Sequence, residues 1–101
     1  MENQHTNNTK LINFTHSLQK KLAGQDTLKR TTERMLLVFE DMGYRMIDPV
    51  GESFDETRTD CEASIAGEKA TNLVITDTIK PIIYFNNSMI QKGVIIVASK
   101  N

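Results

Sequence analysis

The apolar residues of this chain change their spacing once, at Gly43-Tyr44, and that switch divides it into a helical half and a strand half. Before the switch, Leu11, Phe14, Leu18 and Leu22 recur every three or four residues with Ile12 alongside, the spacing of an amphipathic helix. Thr9 is the expected N-cap and Gly24 the expected stop. Asp26 is expected to cap a second helix that runs to Met42 and ends at Gly43, with Leu28, Met35, Val38 and Met42 in one stripe. Its last turns, Met35-Leu36-Leu37-Val38-Phe39, are apolar on every side, and a helix of that kind is buried all round. In a chain of 101 residues this predicts packing on its own sheet on one side and on another chain on the other. Residues 1–9 are polar and without period and are read as a disordered tail.

Beyond the switch the pattern is that of strands. Tyr44-Arg45-Met46-Ile47 reads as a short strand, and Asp48-Pro49-Val50-Gly51 as a turn with proline second and glycine fourth. Thr59, Cys61, Ala63 and Ile65 alternate with Asp60, Glu62 and Ser64, which predicts a half-buried strand. Residues 66–71 read as a polar loop around Gly67, and Leu73-Val74-Ile75 as the start of another strand. Ile82-Ile83-Tyr84-Phe85 and Met89-Ile90 flank Asn86-Asn87, a pair that tolerates the positive φ of a tight hairpin. The β-branched run Val94-Ile95-Ile96-Val97-Ala98 suits a central strand. Two helices followed by strands alone predict an α+β fold, with a helical segment over 10–43 and a small, mostly antiparallel β-domain over 44–101.

Charge and composition narrow the function classes. Twelve Lys and Arg against thirteen Asp and Glu give a net charge of −1, without the strong positive field of non-specific nucleic-acid binding. No apolar run approaches the ~18 residues of a membrane span. The polar start, Met1-Glu2-Asn3-Gln4-His5, is unlike a signal peptide, and a lone Cys61 cannot form an internal disulfide. A soluble, cytoplasmic protein is expected, with no nucleic-acid or membrane partner.

The residues that could carry chemistry are few. His5 falls in the expected tail, and His16, between Thr15 and Ser17, is read as a solvated surface histidine. Cys61 is read as a small buried hydrophobe. No glycine-rich loop precedes a helix, so a phosphate cradle is not expected. Asp48, Glu52, Asp55, Glu56, Asp60 and Glu62, with Arg58, do not have the spacing of a calcium loop and read as a solvated face. Lys20, Lys21, Lys29, Arg30 and Arg34 form a basic stretch around a turn, which reads as a solvated helical face in preference to a DNA-docking module. The expectation is a protein that is not an enzyme and holds no cofactor or metal.

Met35-Leu36-Leu37-Val38-Phe39-Glu40-Asp41-Met42-Gly43-Tyr44-Arg45-Met46-Ile47-Asp48-Pro49 resembles the end of the last helix of GrpE proteins, where a leucine-rich helix runs into Gly-Val-x-x-Ile-Asp-Pro. Gly51-Glu52-Ser53-Phe54-Asp55 resembles that family's Gly-Glu-x-Phe-Asp. Asn86-Asn87 sits where the family turns its last hairpin, Ile90-Gln91-Lys92-Gly93-Val94 matches its Leu-Arg-Pro-Ala-x segment, and Val97 its closing valine. The order and spacing agree over residues 35–98. The chain departs from the family at Glu56 in place of proline, at Thr59 in place of histidine, and at Ile82-Ile83 in place of Gly-Tyr. Ser88 and Gln91 stand where many members carry arginine, and the family's long N-terminal helix has no counterpart.

The resemblance implies a homodimeric nucleotide-exchange factor of DnaK-type chaperones. Two short helices per chain would form a four-helix bundle with the partner copy through Leu11, Leu18, Leu22, Leu28, Met35, Val38 and Met42. A β-wing of the GrpE head type would press on the chaperone's nucleotide-binding domain and promote ADP release, with no bond made or broken. Chaperone contact is expected at Ile79, Ile82, Tyr84, Asn87, Met89, Gln91 and Lys92. The strand Ile82-Ile83-Tyr84-Phe85 is apolar on both faces, and a small domain should leave one exposed as a partner surface unless helix two or the partner subunit covers it. The alternative is a dimeric adaptor of the same fold that binds another protein without exchange activity.

Overall fold

The computed structural model describes residues 2–67 and 71–100, and within them the order is two helices, then six strands. The helices are α1 (Glu2–Lys21) and α2 (Asp26–Asp41). The strands are β1 (Tyr44–Ile47), β2 (Cys61–Ala66), β3 (Leu73–Lys80), β4 (Ile82–Phe85), β5 (Ser88–Gln91) and β6 (Gly93–Ser99). The α+β class is as expected. The strands form two three-stranded sheets, ordered β1-β4-β5 and β2-β6-β3. Three ladders are antiparallel and one, β2 with β6, is parallel. The chain crosses between the sheets three times, through 48–60 between β1 and β2, at Pro81 between β3 and β4, and at Lys92 between β5 and β6. No helix among the described residues is long and apolar enough to cross a membrane.

β4 lies between two cores. Ile82 joins Cys61, Ile75, Ile95 and Val97 on one side, while Ile83 joins Ile12 of α1 and Tyr44 of β1 on the other. Both faces of the Ile82-Ile83 pair are therefore covered, contrary to the expectation of an exposed face, because the second sheet takes one and the helices take the other. β6 is the centre of its sheet, as its β-branched run predicts. The hairpin turn is also as predicted, with Asn86 at φ 47° and Asn87 at φ 72°.

The first helix differs from the sequence reading in extent and in what its polar face meets. It includes Thr9 and runs back through the segment expected to be disordered. Tertiary contacts supply the order that periodicity does not. The Tyr44 hydroxyl lies 2.6 Å from His5 Nδ1 and accepts from Asn8 Nδ2 at 3.0 Å, and the His5 ring packs on Phe85 with centroids 4.6 Å apart. His5, Asn8, Asn13, His16 and Lys20 all bond to the β-domain, at the three-to-five-residue spacing of one helix face. Leu11, Phe14 and Leu18 remain exposed. α1 thus packs its polar face inward, with Ile12 as its buried apolar contact.

Several boundaries shift. Asp26 is the first residue of α2, and Gln25 stands at the N-cap without a side-chain cap bond. The 35–39 turns are not buried all round in a single chain: Leu36 and Phe39 are half-buried against the core, while Met35, Leu37 and Val38 are exposed. The turn after β1 begins at Pro49, not Asp48, with the Glu52 N–H donating to the Pro49 carbonyl at 3.1 Å and Gly51 third at φ 90°. In β2, Cys61 is buried but Ala63 and Ile65 are exposed, since β2 is an edge strand that no layer covers. The loop expected over 66–71 starts one residue later, and its 68–70 part lies outside the described residues.

Candidate functional site

Two surfaces and one buried network stand out. The first surface is the hairpin of β4 and β5. At its tip the Asn86 N–H donates to the Gly43 carbonyl at 3.0 Å, which fixes the turn against the junction of α2 and β1. At its base, Gln91 and Asn13 exchange amide hydrogen bonds at 2.8 and 3.0 Å, and Gln91 Nε2 also donates to the Pro81 carbonyl at 2.8 Å. The ladder pairs Arg45 with Tyr84 and Tyr84 with Met89, so these three stand side by side on one face. The Arg45 guanidinium lies 5.0 Å from the centre of the Tyr84 ring, within cation–π range.

Of the residues expected to meet a chaperone, Ile79, Asn87, Met89 and Lys92 are exposed and Tyr84 is half-buried. Ile82 is 1 % exposed and belongs to the core. Gln91 is half-buried, and its amide is committed to Asn13 and Pro81, so it anchors the hairpin and is not a free contact. Arg45 joins the surface. Its neighbours in sequence do not announce it, and only the β1–β4 register brings it beside Tyr84.

The second surface lies on the helices. Of the residues expected in a dimer contact, Leu11, Leu18, Leu28, Met35, Val38 and Met42 are exposed in the single chain, Val38 at 58 %, and Leu22 is half-buried. Phe14 and Leu37 are exposed with them. Apolar exposure of this extent on two adjacent helices is unusual for a protein that stays alone in water.

The network, buried at His16 and Thr78, centres on Asp48, whose own side chain is 34 % exposed. His16, expected on the surface, is 2 % exposed and donates from Nε2 to Asp48 Oδ2 at 2.8 Å. The Thr78 hydroxyl donates to Asp48 Oδ1 at 2.7 Å, and the Val50 N–H to the same oxygen at 3.1 Å. One turn further along α1, Lys20 is exposed as expected, but tied to the β-domain. It donates to the Thr78 carbonyl at 2.9 Å and pairs with Asp77 at 2.9 Å. The carboxylate stands between the imidazole and the hydroxyl, so His16 cannot take a proton from Thr78, as a nucleophile's base must. The network docks α1 onto the β-domain.

Burial pushes the Asp48 carboxyl up, but its bonds from Thr78, His16 and Val50 outweigh burial and hold it below its ordinary value. A carboxyl held lower in the fold stabilises above its unfolded pKa and loses that contribution as pH falls through its folded pKa. Stability is therefore expected to fall below about pH 4. Asp48→Asn should flatten part of that fall in urea titrations at stepped pH. Asp48→Ala is expected to cost about 1–3 kcal/mol at neutral pH, because it strands the His16 and Thr78 donors.

The acidic stretch is partly spent on itself. Arg58 binds Asp60 at 2.6 Å and Glu52 at 3.0 Å, and Asp55 accepts from the Thr57 hydroxyl and N–H. Among the described residues, no three His, Cys, Asp or Glu side chains converge as a metal site would require. Burial, and then the charge of Asp60, push the Cys61 thiol up to about 11, so it is protonated and weakly nucleophilic at neutral pH. Comparison with protein-family models, with curated proteins and with solved structures found no match to this chain.

Proposed function

We propose that this chain is a GrpE-like homodimeric co-chaperone that promotes ADP release from a DnaK-type chaperone, acting as a binding protein and not as an enzyme. One observation carries the reading. The stretches that resemble the family, 35–55 and 86–97, are far apart in sequence but meet at the bond from the Asn86 N–H to the Gly43 carbonyl. The inverted packing of α1 supports the dimer, because Leu11, Phe14 and Leu18 need cover from outside the chain. In this reading the head formed by β1–β6 is the wing. Arg45, Tyr84, Asn87 and Met89, with Ile79 and Lys92, contact the chaperone's nucleotide-binding domain.

The physical action is a shift of population. A factor that binds the open nucleotide cleft more tightly than the closed one moves the equilibrium by that difference in affinity, and a ~10⁴-fold difference inverts a 1:99 ratio. The test is release of labelled ADP from a DnaK-type chaperone. The wild-type chain should accelerate release. Tyr84→Ala with Met89→Ala should reduce the acceleration by at least about tenfold, as expected for losing an aromatic anchor and its neighbour. A double variant that matches wild type places the contact elsewhere. A folded, dimeric wild type without any effect on release favours the adaptor, a reading that the departures at Glu56 and Thr59 keep open.

A further inference from the structure

The two edges of the β2-β6-β3 sheet are treated differently. The outer edge of β3 is covered by the 51–54 segment: the Gly51 N–H donates to the Ile75 carbonyl, the Ile75 N–H to the Glu52 carbonyl, and the Phe54 N–H to the Leu73 carbonyl, at 2.8, 2.9 and 3.0 Å. The β3–β6 ladder is also broken by two register shifts. Among the described residues, β2 has neither device. It pairs with β6 without a register break from Cys61 to Ala66, and it carries no proline or lysine. Natural proteins blunt free edges with such features, and a long, straight edge without them is a template for another strand.

The Gly93 N–H donates to the Asp60 carbonyl, so Asp60, Glu62 and Ser64 turn their backbone groups toward β6. By alternation, Ala63 and Ile65 turn their N–H and C=O groups outward. Their side chains line an open groove of about 590 Å³ whose other apolar walls are Phe54 and Leu73. Ile65 is 50 % exposed there. Asp55 and Glu56 line the same groove, and Glu62 is exposed on the strand itself. Arg58 reaches the groove too, but its charge is taken up by Asp60 and Glu52.

We propose that the free edge of β2 is a docking site for an extended, basic segment of another polypeptide, which adds as a fourth strand and sets alternate apolar side chains into the groove. Backbone bonds to Ala63 and Ile65 supply affinity, the groove selects the apolar positions, and the acidic rim selects lysine or arginine at its ends. A second copy of this chain is disfavoured as the occupant, since pairing two β2 edges brings Glu62, Asp55 and Glu56 of both copies together. This site is separate from the hairpin surface and does not depend on the exchange reading.

The experiment is fluorescence anisotropy of a labelled octapeptide alternating lysine with valine, titrated with the full chain. Saturable binding is expected. Ala63→Pro should weaken it at least about tenfold, because proline removes an outward donor and leaves the β2–β6 ladder intact. N-methylating the peptide backbone, or replacing its lysines by glutamate, should do the same without altering the protein, so the result stands even if Ala63→Pro does not fold. Absence of saturable binding up to about 1 mM peptide, the weak end of specific association, overturns the proposal. So does binding indifferent to both peptide changes. Self-association of the wild type that displaces peptide and is lost in Ala63→Pro assigns the edge to a second copy and also overturns it.

Discussion

Val38→Glu is expected to dissociate the proposed dimer while leaving each chain folded. Val38 is 58 % exposed in the single chain, so a carboxylate there remains in water as long as the chain is alone. In a two-fold bundle the same substitution occurs twice. Each interface would then hold two charges in place of two apolar side chains, and each unpaired charge costs at least about 2 kcal/mol on burial. About 4 kcal/mol in total corresponds to roughly a thousandfold rise in the dissociation constant. Leu28→Glu, at the other end of α2, should act in the same direction. Sedimentation equilibrium reads the mass, and far-ultraviolet dichroism shows whether the helices persist. A wild type that sediments as a folded monomer at tens of micromolar removes the basis for the dimer.

The reason this expectation is firmer from the structure than from periodicity lies in α1. An amphipathic helix ordinarily turns its apolar stripe to its own core, whereas the dimer expectation sends Leu11 and Leu18 to the partner copy. The tertiary bonds of the polar face leave that stripe outside. His5, Asn8, Asn13, His16 and Lys20 face the β-domain, and the apolar stripe faces out. A spacing of three or four residues says that two faces exist but not which is inner when both have partners. The same limit hid His16: its neighbours Thr15 and Ser17 are polar, and only the distant Asp48 and Thr78 make it a buried group. Thr15 is itself buried, with its hydroxyl returned to the Leu11 carbonyl at 2.8 Å.

Local signals fared better where local chemistry decides. The Asn86-Asn87 turn, the stop at Gly43, β1, and the central position of β6 all follow from short stretches whose conformational preference is strong. What could not be read was pairing across distance. The division into two sheets depends on crossings through 48–60, at Pro81 and at Lys92, and alternation within a strand carries no information about which sheet it joins. The burial of both Ile82 and Ile83 follows from that division, and so does the place of Arg45 beside Tyr84. The hairpin was therefore legible as a hairpin, while its exposed residues were legible only in part.

Gly43→Ala should be the most damaging conservative substitution in the chain. Gly43 sits at φ 102°, a conformation that costs an L-residue about 1–2 kcal/mol. An added Cβ would also lie 2.8 Å from Asn86 Oδ1 and 3.0 Å from Phe85 Cε1. Asn86 is exposed and can turn away, but the Phe85 ring is held between His5 and Tyr44, with centroids 4.6 and 4.8 Å distant. Crowding of that kind costs about 1–3 kcal/mol. Together the two effects come to about 2–5 kcal/mol, a large share of the ~5–15 kcal/mol typical of a whole domain. At roughly 4–8 °C per kcal/mol, the melting temperature should drop by at least about 8 °C. Gly51→Ala is the matched control. Gly51 has nearly the same φ, 90°, but nothing lies within 4 Å of its added Cβ, so only the backbone cost remains. The difference between the two melting curves therefore measures how tightly the helix–strand junction is wedged against the hairpin turn. Equal losses would mean that Phe85 and Asn86 yield freely, and that the bond from Asn86 to Gly43 does not hold the hairpin rigid against the helices.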